Sequence, residues 1–164
     1  MEIFNSFKEN TQTIIFVNTK KFAETVYDSL NKKNYRCFIM FSNLTKEERD
    51  DCIKQFREGS INVIIATNLL SRGFDMHTIK LVINFDVPTN QHLPDYESYL
   101  HRVGRSGRFG NSGVALTLFD REEDEKNFFD IIEHYQMKNK VLPLSGGAKQ
   151  LTEIIHQAKE DDIL

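Results

Sequence analysis

RCFIMFSNLTKEERDDCIKQFREGSINVIIA, residues 36–66, decides the fold. It opens on an apolar run, RCFIMF (36–41), and closes on another, INVIIA (61–66). Between them TKEERDDCIKQFREG begins with Thr45-x-x-Glu48, the spacing of a capping box, and stops at Gly59, a helix terminator. Strand, helix and strand of this length make one crossover unit, which joins parallel strands and sets the helix over one face of the sheet. The same grammar extends outward. QTIIFV (12–17), KLVINF (80–85) and VALTLF (114–119) are three more short apolar runs. KKFAETVYDSL sets Phe22, Val26 and Leu30 four residues apart, which predicts a helix. Asp120 and Glu123 form a further cap-like pair before REEDEKNFFDIIEHY, whose acidic first turn suits a helix start rather than a metal site. The expectation is an α/β fold with a mostly parallel sheet flanked by helices, forming one domain over 1–164. A Gly-Gly break precedes a short amphipathic tail, 146–164, expected to pack lightly or fray.

The chain has 164 residues, 40% of them hydrophobic, enough for one real core. Its net charge of −3 excludes a general electrostatic attraction to nucleic acid or anionic membrane, so an anion site must be local. Cys37 and Cys52 are the two cysteines; without a CxxC or paired-histidine spacing they indicate neither a disulfide framework nor a zinc site. No apolar run reaches the roughly 20 residues of a membrane span, and MEIFNSFKEN lacks a signal-peptide pattern. A cytosolic or nuclear setting and a monomeric state are expected.

In parallel α/β sheets ligands bind beyond the carboxyl ends of the strands. Here those positions are Asn18-Thr19-Lys20, Thr67-Asn68, Asp86 and the segment 101–108, a polar and basic set that an ordinary solvated rim would also supply. HRVGRSGRFG (101–110) is the densest of them. Arg102, Arg105 and Arg108 recur every third residue, and Gly104 and Gly107 leave room beside them. Planar, permanently charged guanidinium forks suit a polyphosphate better than a lone carboxylate; a surface patch is the alternative. ATNLLSRGFDM (66–76) adds Thr67, Arg72-Gly73 and Asp75, an acceptor suited to a ribose hydroxyl, although a capped helix and a turn would read the same way. GxxxxGKS/T, the usual phosphate cradle, is missing: the first strand runs into VNTKKF, without glycine. The arginines suit a nucleotide that this chain cannot hold alone.

Taken together and in order, IIFVNTKK, TKEERDDCIKQFREG, IIATNLLSRGFDM, VINFDVP and YLHRVGRSGRFGNSGVA resemble the C-terminal RecA-like domain of DEAD-box RNA helicases, over about residues 10–135. HRxGRxGR with an upstream TxxxxRGxD is a specific pair. The resemblance implies a RecA-like three-layer fold and half an enzyme. A separate N-terminal RecA-like domain carries most of the ATP and Mg2+ site, and the halves close over ATP and single-stranded RNA. It implies that Arg105 and Arg108 are catalytic arginine fingers on the γ-phosphate. Gly73 and Asp75 line the ATP site, and His101 and Arg102 organise interdomain contacts. Thr19, Arg49 and Thr67 hold the RNA sugar-phosphate backbone without sequence specificity. The whole protein would be an ATP-dependent RNA helicase remodelling RNA duplexes or RNA–protein complexes, and the isolated domain inactive.

Many members have Asp at Asn68, Gln at Lys46 and Gly at Ser42. Asn68, the loop PTNQHLPDYESYLHR and the ending FDIIEHYQMKNKVLPL are most similar to the branch acting in mRNA export at the nuclear pore. That branch implies an export activator with inositol hexakisphosphate as a partner; Lys126, Lys138 and Lys140 lie in the matching region, where simple solvation would explain them equally well. A translation-initiation helicase, a non-catalytic RNA-binding scaffold module and, more remotely, a flavodoxin-like redox domain are the competing readings.

Overall fold

In the computed structural model, residues 11–67, 79–106, 113–144, 147 and 149–153 are described. The chain runs β1 (Thr13–Phe16), α1 (Lys20–Asn31), β2 (Cys37–Met40), α2 (Lys46–Arg57), β3 (Val63–Ala66) and β4 (Leu81–Asn84). A hairpin β5–β6 (Thr89–Asn90, Leu93–Pro94), α3 (Tyr96–Val103), β7 (Val114–Thr117) and α4 (Glu122–His134) follow. A 3-10 turn at Lys138–Lys140 comes after α4.

Strands β1, β2, β3, β4 and β7 form one sheet in the order β2-β3-β1-β4-β7. Every pairing in it is parallel, with Ile14 beside Ile64 on one side and Val82 on the other. The three inner strands are buried at every position, which is why they are spelled as unbroken apolar runs rather than alternating ones. Alternation survives in the direction of the side chains. Ile14, Phe16, Ile64 and Val82 meet Cys52 and Phe56 of α2 on one face. Ile15, Val63, Ile65, Leu81 and Ile83 meet Ala23, Val26 and Leu30 of α1 on the other. Helix, sheet and helix make three layers, as expected.

Helix α2 has the predicted start. Thr45 Oγ1 accepts from Glu48 N at 3.1 Å, and Glu48 Oε2 accepts from Thr45 N at 2.8 Å, so the capping box forms. Helix α2 then ends at Arg57, with Glu58 as its C-cap and Gly59 next at a φ of 76°, a conformation that costs a residue with a Cβ. Cys52 is fully buried under the sheet, and burial pushes its thiol up to about 12.

Helix α4 departs from expectation. Its N-cap is Arg121, and no side chain caps the helix, so Asp120 and Glu123 do not act as a pair. Arg121 instead forks across both oxygens of Asp124, at 2.8 and 2.9 Å, and a carboxylate engaged in the first turn offsets the helix's positive end. The long loop is also structured: 89–94 is an antiparallel hairpin and 96–103 is helix α3. Of the tail, only 147 and 149–153 lie among the described residues, with Leu151 buried.

Candidate functional site

Because the five strands are parallel, their carboxyl ends lie along one edge of the sheet. Thr19 follows β1 and Thr67 follows β3, its neighbour, so the two hydroxyls share that edge. Thr19 is exposed and serves as the N-cap of α1, its Oγ accepting from Phe22 N at 3.2 Å. Thr67 is half-buried. Arg49, in the first half of α2, is half-buried too, and its Nε is buried with no hydrogen-bond partner. A buried guanidinium nitrogen without an acceptor is uncommon in folded proteins and fits an oxygen ligand.

Helix α3 brings the arginine segment to the same edge. Asp95 caps it, accepting from Ser98 N at 3.0 Å, and the hairpin before it is closed by Asp95 N donating to Pro88 O at 2.9 Å. The helix is capped at its C-terminus by Gly104, where a Cβ would lie a tight 3.0 Å from Leu100 O. His101 is partly exposed, with Nδ1 3.9 Å from Glu97 one turn back.

The arginines of this segment are not equivalent. Arg102 is 0% exposed. Its Nη1 donates to Asp86 O at 2.8 Å, its Nη2 donates to Asn18 Oδ1 at 2.9 Å, and its guanidinium lies 5.3 Å from the Phe16 ring centroid. Arg102 thus pins α3 to the ends of β1 and β4. Burial pulls its guanidinium down to about 10, while Asp86, Asp95 and Tyr99 pull the other way, so it remains a cation at neutral pH. The sequence grouped Arg102 with Arg105 and Arg108 as guanidinium forks suited to a polyphosphate; Arg102 is turned into the domain instead. Arg105 is 6% exposed and its Nε donates to His101 O at 3.0 Å. Arg108, Gly73 and Asp75, like Asn68 and Arg72, lie outside the described residues.

Two further ties went unread in the sequence. Asn18 engages three groups: its backbone N donates to Asp86 Oδ2 at 2.8 Å, its Nδ2 to Val87 O at 2.9 Å, and its Oδ1 receives Arg102. Tyr99 shares a 3.2 Å hydrogen bond with Thr117, and Asn84 Nδ2 donates to the same oxygen at 3.3 Å, joining α3 to β4 and β7. Burial pushes the Tyr99 phenol up, and the Thr117 bond and the Arg102 charge offset part of that rise. Of these residues only Asn18 carried a sequence signal, its position just past a strand.

A family model for the helicase conserved C-terminal domain matches residues 1–110. The chain belongs to that family. Among curated relatives of this helicase domain is a probable eukaryotic initiation factor 4A of Trypanosoma brucei brucei. It is 39% identical over 84% of this chain and 32% of its own length. The DEAD-box ATP-dependent RNA helicase 38 of Arabidopsis thaliana is 43% identical over 76% of this chain and 25% of its own length. The chain therefore spans about a third or less of the curated relatives it matches. Among solved structures, S. cerevisiae Dbp5 bound to RNA and ADP BeF3 superposes with a TM-score of 0.83 at 31% identity, over 95% of this chain and 40% of that one. A Dbp5 variant bound to a Gle1 variant and IP6 superposes with a TM-score of 0.82 at the same identity and coverage. The RecA-like three-layer fold expected from the motifs is the fold observed.

Proposed function

We propose that this chain is the C-terminal half of an ATP-dependent DEAD-box RNA helicase, closing on an N-terminal RecA-like half over ATP and single-stranded RNA. The observation that carries the reading is the shared edge: Thr19, Thr67 and the end of α3 with Arg105 stand at the carboxyl side of one parallel sheet. Hydroxyls at strand ends and the orphaned Nε of Arg49 are donors for phosphate and sugar oxygens, which carry no base identity. Binding should therefore be tolerant of RNA sequence and should fall with salt.

For the nucleotide, the donor set of HRVGRSGRFG fits a polyphosphate: Arg105 and Arg108 would meet the γ-phosphate, with Gly73 and Asp75 beside the ribose. In this reading His101 faces the other half directly. Arg102, buried in its own domain, shapes that face by holding α3 in place. ATP supplies the phosphoryl group, and Mg2+ rests on the other half. What this chain contributes is charge on a rigid helix end, placed where negative charge grows as the phosphoryl group leaves.

Two branches compete. The relatives that are initiation factors favour a translation-initiation helicase. The Dbp5 complexes with Gle1 and IP6, with the sequence of 88–96 and 126–140, favour mRNA export at the nuclear pore, where an activator and inositol hexakisphosphate would act on this half. Pull-down with the cognate activator, with and without the inositol phosphate, separates them.

The half-enzyme reading is tested by calorimetry. Mg-ATP titrated into this chain alone gives no heat of binding, and the intact helicase hydrolyses ATP only with RNA present. Micromolar ATP affinity with RNA-independent turnover by this chain would overturn it.

A further inference from the structure

Thr19 and the arginine segment are separated by one residue that touches both. Asn18 precedes Thr19 in the chain and receives the Nη2 of Arg102 on its Oδ1 at 2.9 Å. Arg102 in turn lies three residues before Arg105, on the helix whose carbonyl at His101 accepts from Arg105 Nε. We propose that Asn18 is a positioning residue that transmits RNA engagement at Thr19 to Arg102 and so to Arg105. The proposal rests on the helicase reading above and names, within it, the link between the RNA side and the nucleotide side of this half.

Three features make Asn18 suited to the task. Each of its polar groups is committed, the backbone N to Asp86 Oδ2, Nδ2 to Val87 O and Oδ1 to Arg102, so its amide cannot turn without breaking a bond. Its partners belong to separate parts of the chain: Asp86 and Val87 follow β4, and Arg102 sits on α3. A shift at the β1–α1 junction is therefore felt by both. Arg102 is fully buried, and the oxygens its fork reaches at Asp86 O and Asn18 Oδ1 are neutral. A displaced Asn18 would take one of those oxygens from a buried cation, so a shift of Asn18 draws on Arg102. Thr19 Oγ accepts one exposed 3.2 Å cap bond from Phe22 N, and its own O–H can donate to a phosphate oxygen. Coupling between two sites needs such a chain of discrete contacts together with a measured effect of one site on the other.

The test is nuclear magnetic resonance of this chain with an oligouridylate of ten nucleotides as the probe. It follows the Thr19 backbone amide and the Nε–Hε signals of Arg102 and Arg105. At saturation the account expects all three to shift along one binding curve. In Asn18→Ser the Thr19 amide still shifts and the two arginine signals stay within error of their free positions. In Asn18→Asp, which keeps an acceptor for Arg102, the arginine response returns. A merely structural Asn18 would change resting positions and stability without separating these responses. Arginine signals that stay still in the wild-type chain while Thr19 saturates would overturn the coupling and leave the helicase reading intact. They would overturn it without any variant having to fold. A Thr19 that does not respond to RNA would overturn the RNA reading itself, and the coupling with it.

Discussion

Arg102 and Arg105 have the same side chain, three residues apart and both buried, and the fold gives them different partners. Arg102 spends its fork on Asp86 O and Asn18 Oδ1 and is closed off from solvent. An alanine there leaves two half-buried acceptors unanswered and a cavity against Phe16. Arg102→Ala is expected to lower the unfolding free energy by about 3 kcal/mol or more. Arg102→Lys should cost about 2 kcal/mol, since one ammonium cannot span both oxygens as a planar fork does. Urea denaturation of the purified chain measures both. A loss under about 1 kcal/mol for the alanine variant would mean that the buried fork holds nothing together. Nothing in HRVGRSGRFG distinguishes these two arginines. The difference is tertiary: Arg102 lies on the face of α3 turned to the sheet, and that face is known only once β1, β4 and α3 are in place.

Among the elements, the three inner sheet strands were legible because strands covered on both faces are almost wholly apolar, and the edge strands β2 and β7 because they keep the same short apolar spelling. QTIIFV, RCFIMF, INVIIA, KLVINF and VALTLF each contain the observed strand with a margin of one or two residues. The α2 start was legible for a local reason, a side chain and a backbone amide three residues apart. The hairpin was not. Its two-residue loop, Gln91-His92, is exposed and sits at φ values of 49° and 66°, a geometry that Asn-Gly or Asp-Gly would have announced and these residues do not. The left-handed region costs an ordinary residue roughly 1–2 kcal/mol, part of which a glycine returns as lost chain entropy. His92→Gly should therefore stabilise the domain by about 0.5–1 kcal/mol. The thermal midpoint of the variant reads this out, and a lowered midpoint would show that the imidazole makes a contact worth more than the strain. Helix α4 was legible in its extent but not in its cap, because Asp120 and Glu123 have the right spacing while Arg121 and Asp124 have the stronger, charged pairing.

On the scale of the whole molecule, the strand order β2-β3-β1-β4-β7 places the strand ends that bear Thr19, Thr67 and Asp86 side by side at the centre of the sheet. Sequence spacing indicated which residues follow strands; it did not indicate which strands are neighbours, because that depends on how each crossover helix packs. A domain with net charge −3 can still meet RNA and ATP if its donors are gathered on one edge. In this account that edge is half a site, completed when a second domain closes on it, and Arg105 and Arg108 supply the charge that matters at the moment of phosphoryl transfer. Single-turnover ATP hydrolysis by the intact helicase at saturating RNA is the most direct measurement. Arg105→Ala and Arg108→Ala should each slow the step by roughly 10³ to 10⁵, with the domain still folded and still contacting RNA. Arg105→Lys should recover little, because a point charge on a flexible stem does not reproduce the planar fork. Near-normal rates in the alanine variants would contradict the account and reduce the arginine segment to a surface patch.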